Sequence, residues 1–299
     1  MKIYNLGSIN WDHCYRLTHF VRPGETLTSS AYQRNLGGKG ANQSAAAARA
    51  GATVRHIGAI GLGDSSILSL MKEIGIDTGG INELAVDATG HAIIQINQDG
   101  ENAIILHPGT NRALSADWID RQLATAVSGD WLLMQNETNL IRETAALARK
   151  RGLKVAFNPA PMDKDLTLAL LEKLDLLIVN EVELQDLTGT DELETALVQI
   201  RQQAPELAVL VTLGAKGACY QDPQQREQVS ACPVQAVDTT AAGDTFIGFF
   251  LASRVQGAAI SDSLKLAGAA AALCVSRPGA IPAIPTRQEA EQFLLGQAG

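Results

Sequence analysis

The chain has little cysteine: four residues, Cys14, Cys219, Cys232 and Cys274, lie far apart in 299 with no C-x-x-C spacing. Neither a zinc knuckle nor a disulfide framework is therefore expected, and the thiols read as reduced groups in a cytoplasmic protein. The five histidines show no i, i+4 or HExxH spacing, so each reads as a surface or packing residue. Lys and Arg form no cluster and the formal net charge is -8, which argues against a nucleic-acid partner. The opening MKIYNLGSIN lacks the apolar core of a secretory signal, and the longest apolar stretch, Ala267 to Val275, is too short for a bilayer. Secretion and membrane insertion are not expected. A Walker A loop, an internal repeat and a low-complexity linker are missing as well.

What is present is apolar content, 46% of residues, enough to build one large α/β core. Short apolar runs at Ile3 to Leu6, Val54 to Ile60, Trp131 to Gln135, Leu153 to Phe157, Leu176 to Val179 and Ala208 to Thr212 suit buried strands. Helices are expected over Ala41 to Ala50, Ser65 to Ile74, Ala116 to Val127 and Leu140 to Lys150, the first, second and fourth stopped by Gly51, Gly75 and Gly152. Two more are expected over Asp244 to Val255 and Asp262 to Val275, then a last helix opened by the capping-box spacing of Thr286 and Glu289. This alternation predicts a mostly parallel sheet covered by helices on both faces. It is interrupted twice. Residues Cys14 to Tyr32 read as strands around a Pro23-Gly24 turn, and His91 to His107 read as a hairpin with a tight Asp99-Gly100 turn. Together they predict a small β lid, from about 12–36 and 91–107, on a single domain spanning 1–299.

Four stretches carry chemistry. Asp238-Thr-Thr-Ala-Ala-Gly-Asp244 directly precedes an apolar helix, so unpaired N–H groups at that helix start could hold a phosphoryl group beside Asp244. A carboxylate there is placed to take a proton from an attacking hydroxyl; by itself it would serve equally as a helix cap. Asn35-Leu-Gly-Gly-Lys-Gly-Ala-Asn42 is a glycine-rich entry to a helix, able to approach a ligand or simply to turn. Asn180-Glu-Val-Glu183 follows an apolar run, where open parallel sheets bind ligands; Glu183 could order magnesium-bound water or start a helix. Thr212-Leu-Gly-Ala-Lys-Gly217 offers hydroxyl, backbone and Lys groups to a nucleotide, or forms a hairpin into Ala218 to Gln221.

Taken together these residues resemble the PfkB carbohydrate kinases of ribokinase type, with similarity from Gly7-Ser-Ile-Asn10, Asp12 and Pro23-Gly24-Glu25-Thr26 to Gly279 and Pro282. The family's N-terminal signature is matched at Gly37, Gly38, Gly40, Asn42, Ser44, Gly51 and Gly61, and its C-terminal signature at Asp238 to Asp244. The resemblance implies a three-layer ribokinase-like fold and an ATP-dependent phosphotransfer to a sugar hydroxyl. By residue, it implies a sugar site of Asn10, Asp12, Gly38, Lys39, Gly40, Asn42 and Glu137, with Asp244 as the base and Ala242 and Gly243 as the anion hole. It implies ATP at Asn180, Thr212, Gly214, Lys216, Gly217 and Gly268, and Mg2+ near Glu183. A monovalent cation, K+, would sit at Asp238, Thr240, Cys274, Arg277, Gly279 and Ala283, mostly on backbone carbonyls; Ala283 stands where a Ser is usual. Two further departures are the shortened Gly63-Asp-Ser-Ser-Ile-Leu helix start and the small Gly268 near adenine. D-ribose is the first expected substrate, deoxyribose the second, with other sugars, nucleosides or a silent sugar-binding regulator behind them. A homodimer packed lid on lid is also expected.

Overall fold

The computed structural model describes residues 1–297. Strands occur at β1 (Ile3–Leu6), β2 (Asn10–Arg16), β3 (Ala31–Gly37), β4 (Val54–Gly61), β5 (Asp77–Leu84), β6 (Gly90–Ile96) and β7 (Asn102–His107). They continue with β8 (Trp131–Gln135), β9 (Lys154–Asn158), β10 (Leu176–Asn180), β11 (Ala208–Thr212), β12 (Ala218–Gln221) and β13 (Arg226–Val229). The helices are α1 (Lys39–Arg49), α2 (Ser66–Glu73), α3 (Ala116–Leu123), α4 (Ile141–Lys150) and α5 (Lys164–Leu170). After them come α6 (Glu181–Thr188), α7 (Leu193–Gln203), α8 (Ala242–Val255), α9 (Ile260–Val275) and α10 (Arg287–Gln297).

A nine-stranded sheet has the order β13-β12-β11-β10-β9-β8-β1-β4-β5. Neighbours from β5 to β11 run parallel, and β12 and β13 close one edge antiparallel. The parallel strands inside the sheet, such as β1, β8 and β10, are buried on both faces, which is why they appear in the sequence as unbroken apolar runs. One core packs α1, α8 and α9 against the sheet, with Phe249, Phe250 and Leu251 fully buried; a second, around Phe157 and Leu177, packs α4 to α7 on the other face. The chain leaves β1 toward β4 and β5 and later returns on its other side through β8. The sheet order therefore reverses at β1, where the carboxyl ends of strands leave a crevice.

A separate four-stranded sheet, β3-β2-β6-β7, stands beyond this crevice. Its turn at 97–101 is longer than the tight Asp99-Gly100 turn expected, because the Asn97 side chain accepts from the N–H groups of Asp99 (3.0 Å) and Glu101 (2.9 Å). Between β2 and β3, residues 17–30 form a loop rather than strands. Glu25 ties it together, accepting from the Arg22 N–H at 3.0 Å and meeting the His19 ring at 2.9 Å. Helix α3 stops at Leu123, short of Val127, because the Asp130 carboxylate takes the Val127 N–H at 3.1 Å.

Candidate active site

Helices α1 and α8 bring the site together. A Cβ on Gly248 would lie 2.4 Å from the Ala46 Cβ, so the glycine lets the two helices approach closely. Their N-terminal turns then meet across about 200 residues of sequence: the Asn42 amide donates to Asp244 Oδ2 and the Gln43 amide to Asp244 Oδ1, both at 2.9 Å. Helix α8 starts at Ala242, two residues before the start expected, with Ala241 in the left-handed region at φ 59°. Ala242, Gly243 and Asp244 thus form the first turn, whose N–H groups have no acceptor four residues back within the helix. Burial pushes the Asp244 carboxyl up from its ordinary value, and the Lys39 ammonium and the Asn42 and Gln43 amides oppose that shift.

The sugar-site candidates gather around one ion pair. Lys39, in the first turn of α1, lies 3.2 Å from Glu137, just beyond β8. Glu137 also accepts from the Lys39 backbone N–H (3.4 Å) and, through a very short bond, from the Ser8 hydroxyl. Burial opposes the charge on Lys39, but the carboxylates of Glu137, Asp244 and Glu183 outweigh it and hold the ammonium above its usual value. Asp12, on β2, is raised to about 7, first by burial, then by repulsion from Glu137 and Asp244, against attraction to Lys39. Its carboxylate occupies space that only glycine leaves: a Cβ on Gly37 of the paired strand would be 1.9 Å from Asp12 Oδ2. Asn10 is fixed by Asn111, whose amide donates to Asn10 Oδ1 at 2.8 Å. Gly38 caps α1 at φ 91°, and Gly40 follows Lys39.

Beyond Lys39 lies a cleft of about 190 Å³, lined among others by Asn180, Glu183, Thr212, Ala242, Gly243 and Asp244. Asn180 and Glu183 form a reciprocal capping box on α6, Asn180 Oδ1 accepting at 2.8 Å and Glu183 Oε2 at 3.0 Å. So the helix-start role of Glu183 is realised, while its side chain still borders the cleft; burial raises its carboxyl, and Asn180 and Lys39 oppose the shift. Gly214, Lys216, Gly217 and Gly268 do not line this cleft. Lys216 points outward to Glu181 at 2.8 Å, and Gly217 turns the chain into β12 with the Val229 carbonyl 1.9 Å from where a Cβ would stand. Gly268, on α9, has open space in front of it.

The cation candidates partly converge. Asp238 accepts from the N–H groups of Thr240 and Gly279, each at 2.9 Å, and the Cys274 thiol reaches the Thr240 carbonyl at 3.7 Å. The Arg277 N–H bonds back to the Cys274 carbonyl, while Ala283 sits buried in the following turn. Among the described residues no group of three or more His, Cys, Asp or Glu could hold a metal by side chains alone.

Sequence reasoning missed Ser8, Gln43, Asn111 and Asn158. Ser8 had a signal, following the first strand in the same Gly-Ser-Ile-Asn stretch as Asn10, and Gln43 follows Asn42. Asn111 and Asn158 had none.

This architecture and this constellation are those of a sugar kinase, and the comparisons agree. A profile of the pfkB family carbohydrate kinases matches residues 2–287, and the chain belongs to that family, whose members transfer phosphate to a sugar hydroxyl. Its relatives are more particular. A ribokinase of Haemophilus influenzae is 41% identical over 302 residues, covering 97% of both chains. A deoxyribokinase of Salmonella typhi is 32% identical, covering 98% of this chain and 99% of its own. The structure of Arabidopsis thaliana ribokinase with ribose and ATP superposes with a TM-score of 0.86 at 30% identity, over 98% of each chain.

Proposed function

We propose that this chain is a ribokinase, transferring the γ-phosphoryl group of ATP to the 5-hydroxyl of D-ribose. The observation that carries this reading is the Asp244 carboxylate, held by two amides at the first turn of α8 and facing the Lys39–Glu137 pair. The sugar lies between Asp12, Asn10, Lys39, Asn42 and Glu137, where carboxylate and amide groups pair its vicinal hydroxyls. Asp244 takes the proton of the 5-hydroxyl as that oxygen bonds to the γ-phosphorus and the bond to the ADP oxygen breaks. The Gly243 N–H faces the charge that develops on the phosphoryl oxygens, and the Ala242 N–H would join it by giving up its 3.3 Å bond to the Thr239 carbonyl. Lys39 adds a fixed positive charge beside the same atoms.

Asn180 and Thr212 hold the nucleotide at the cleft, while Gly214, Lys216, Gly217 and Gly268 lie outside its lining and Lys216 pairs with Glu181 rather than with ATP. Glu183 suits Mg2+ through water, since one of its oxygens is committed to the α6 cap and its side chain borders the cleft. When bound with ATP, the ion neutralises phosphate charge. Asp238 and Thr240 before α8, with Cys274, Arg277, Gly279 and Ala283 at and after the end of α9, offer a carboxylate and carbonyl oxygens, a donor set suited to a hard cation such as K+. Exposed Ile104, Ile105 and Leu106 on β7 leave an apolar lid surface, which supports a homodimer through the lid. The thiols and the lack of any long apolar helix among the described residues are compatible with a cytoplasmic setting.

Deoxyribose is the second reading, favoured by the deoxyribokinase relative. A missing hydroxyl would leave a buried partner unpaired, a cost of about 1–3 kcal/mol, so ribose is preferred. A coupled ADP-release assay over D-ribose, deoxyribose, nucleosides and phosphosugars tests the proposal. The highest kcat/KM is expected with D-ribose; higher turnover with any of the others would reassign the enzyme within its family.

A further inference from the structure

The two amides that hold Asp244 are not equivalent. Asn42 Oδ1 is buried without a partner, so this side chain has a free acceptor and is held to Asp244 by its amide nitrogen alone. Gln43 is fully buried and all of its amide is committed. Its Nε2 donates to Asp244 Oδ1 at 2.9 Å and to Asn158 Oδ1 at 3.1 Å, while its Oε1 accepts from Gln135 Nε2 at 2.7 Å. Gln135 Nε2 also donates to Asn5 Oδ1 at 2.9 Å, and Asn5 Nδ2 donates to Ser44 Oγ and to the Gly40 carbonyl, both at 2.8 Å. Ser44 then meets His56 Nδ1 at 2.8 Å, and His56 Nε2 meets the Gly7 carbonyl at 3.1 Å.

Backbone carbonyls fix the polarity of this chain of bonds, because a carbonyl can only accept. The Gly7 carbonyl requires the proton on His56 Nε2, leaving Nδ1 to accept from Ser44. The Gly40 carbonyl requires the Asn5 nitrogen, which turns Asn5 Oδ1 toward Gln135. The Ile178 carbonyl accepts from Asn158 Nδ2 at 3.0 Å, which turns Asn158 Oδ1 toward Gln43. With nitrogen fixed on Gln135 and oxygen on Asn158, a flipped Gln43 would oppose oxygen to Asn158 Oδ1 and to the Asp244 carboxylate, and NH2 to NH2 at Gln135. Only one orientation satisfies its neighbours.

We propose that Gln43 is the positioning residue of the reaction: it locks Asp244 Oδ1 as a permanent acceptor, so that Oδ2 is the oxygen that takes the substrate's proton. This rests on Asp244 being the base. The assignment balances through the transfer. The hydroxyl O–H bond breaks and an Oδ2–H bond forms; Oδ1 becomes the carbonyl oxygen of the acid and still accepts from Gln43, which need not move. Asn42, with its free oxygen, gives up Oδ2 and turns to the sugar. The charged and titratable groups that bear on Asp244 are Lys39 from α1, Asp12 from β2, Glu137 after β8, Glu183 from α6 and Cys274 from α9.

The test compares Gln43→Glu, Gln43→Met and Gln135→Met with the parent for kcat, KM, the acid limb of kcat against pH, and thermal unfolding. Gln43→Glu is expected to lower kcat about 100-fold and to move the acid limb to higher pH, with KM for the sugar within about three-fold. Gln43→Met loses the donor without adding charge and moves the limb the same way by less. Gln135→Met removes the donor to Gln43 Oε1, loosens its hold on Asp244 and gives a smaller fall in kcat in the same direction; it decides the matter if the Gln43 variants do not fold. An unchanged acid limb in the folded variants, with Asp244→Asn inactive, overturns the role of Gln43 and leaves Asp244 as base. An active Asp244→Asn protein overturns the base assignment, and the role of Gln43 with it.

Discussion

The two halves of the site are built differently. Around the proposed sugar position, side chains would do the recognition: Asp12, Lys39, Asn42, Glu137 and Asp244 are bonded or charge-coupled to one another, Asn10 is held by Asn111, and carboxyls there are shifted by burial. Around the proposed nucleotide position, the sequence supplies glycines, a strand end and one outward-pointing Lys216. Directional, desolvated groups discriminate between hydroxyl patterns, because a wrong ligand leaves them unpaired. Backbone and open surface would hold a nucleotide without such discrimination. Specificity should therefore be concentrated in the sugar half.

Breaking that contrast starts with Asp244→Asn, for which kcat is expected to fall by about 10³-fold or more, while calorimetric affinity for D-ribose changes little. Next is Gly37→Ala, whose new methyl would displace the Asp12 carboxylate. Steady-state kinetics should show a loss of about 100-fold in kcat/KM for ribose with KM for ATP nearly unchanged.

A pH profile sharpens the comparison further. Burial and the neighbouring carboxylates push Asp12 up to about 7 in the folded protein, and in the proposed role it would accept sugar hydroxyls as the carboxylate. As pH rises through that value the ionised fraction rises, so kcat/KM for ribose should climb about ten-fold between one unit below and one above. Glu137→Gln removes the repulsion that helps raise Asp12, and the limb should then move to lower pH. The smallest effect belongs to the other half. Lys216→Ala removes an exposed ion pair, and KM for ATP should stay within about two-fold and stability within about 0.5 kcal/mol.

Much of this was legible in the residues because the signals are local. The buried strands Trp131–Gln135 and Ala208–Thr212 were readable to the residue, since parallel strands covered on both faces leave continuous apolar runs. The existence and the end of α8 were readable from the apolar run TFIGFFLASRV, while its start was expected at Asp244 and lies two residues earlier, at Ala242. Strand β5, DTGGINEL, was not, because two glycines and polar residues hide an edge strand whose burial is patchy. Nor were α5 and α7, on the far face from α8. Gln43 and Asn111 were illegible in a stronger sense: their partners Asp244 and Asn10 lie 201 and 101 residues away, so their roles exist only once the sheet and helices have formed.

A crystal structure with D-ribose and a non-hydrolysable ATP analogue tests the central claim most directly. The sugar 5-hydroxyl oxygen should lie within about 3 Å of Asp244 Oδ2, with the terminal phosphoryl group against the N–H groups of Ala242 and Gly243. A sugar whose hydroxyls meet Glu137 and Lys39 while Asp244 touches neither sugar nor phosphate would contradict the account.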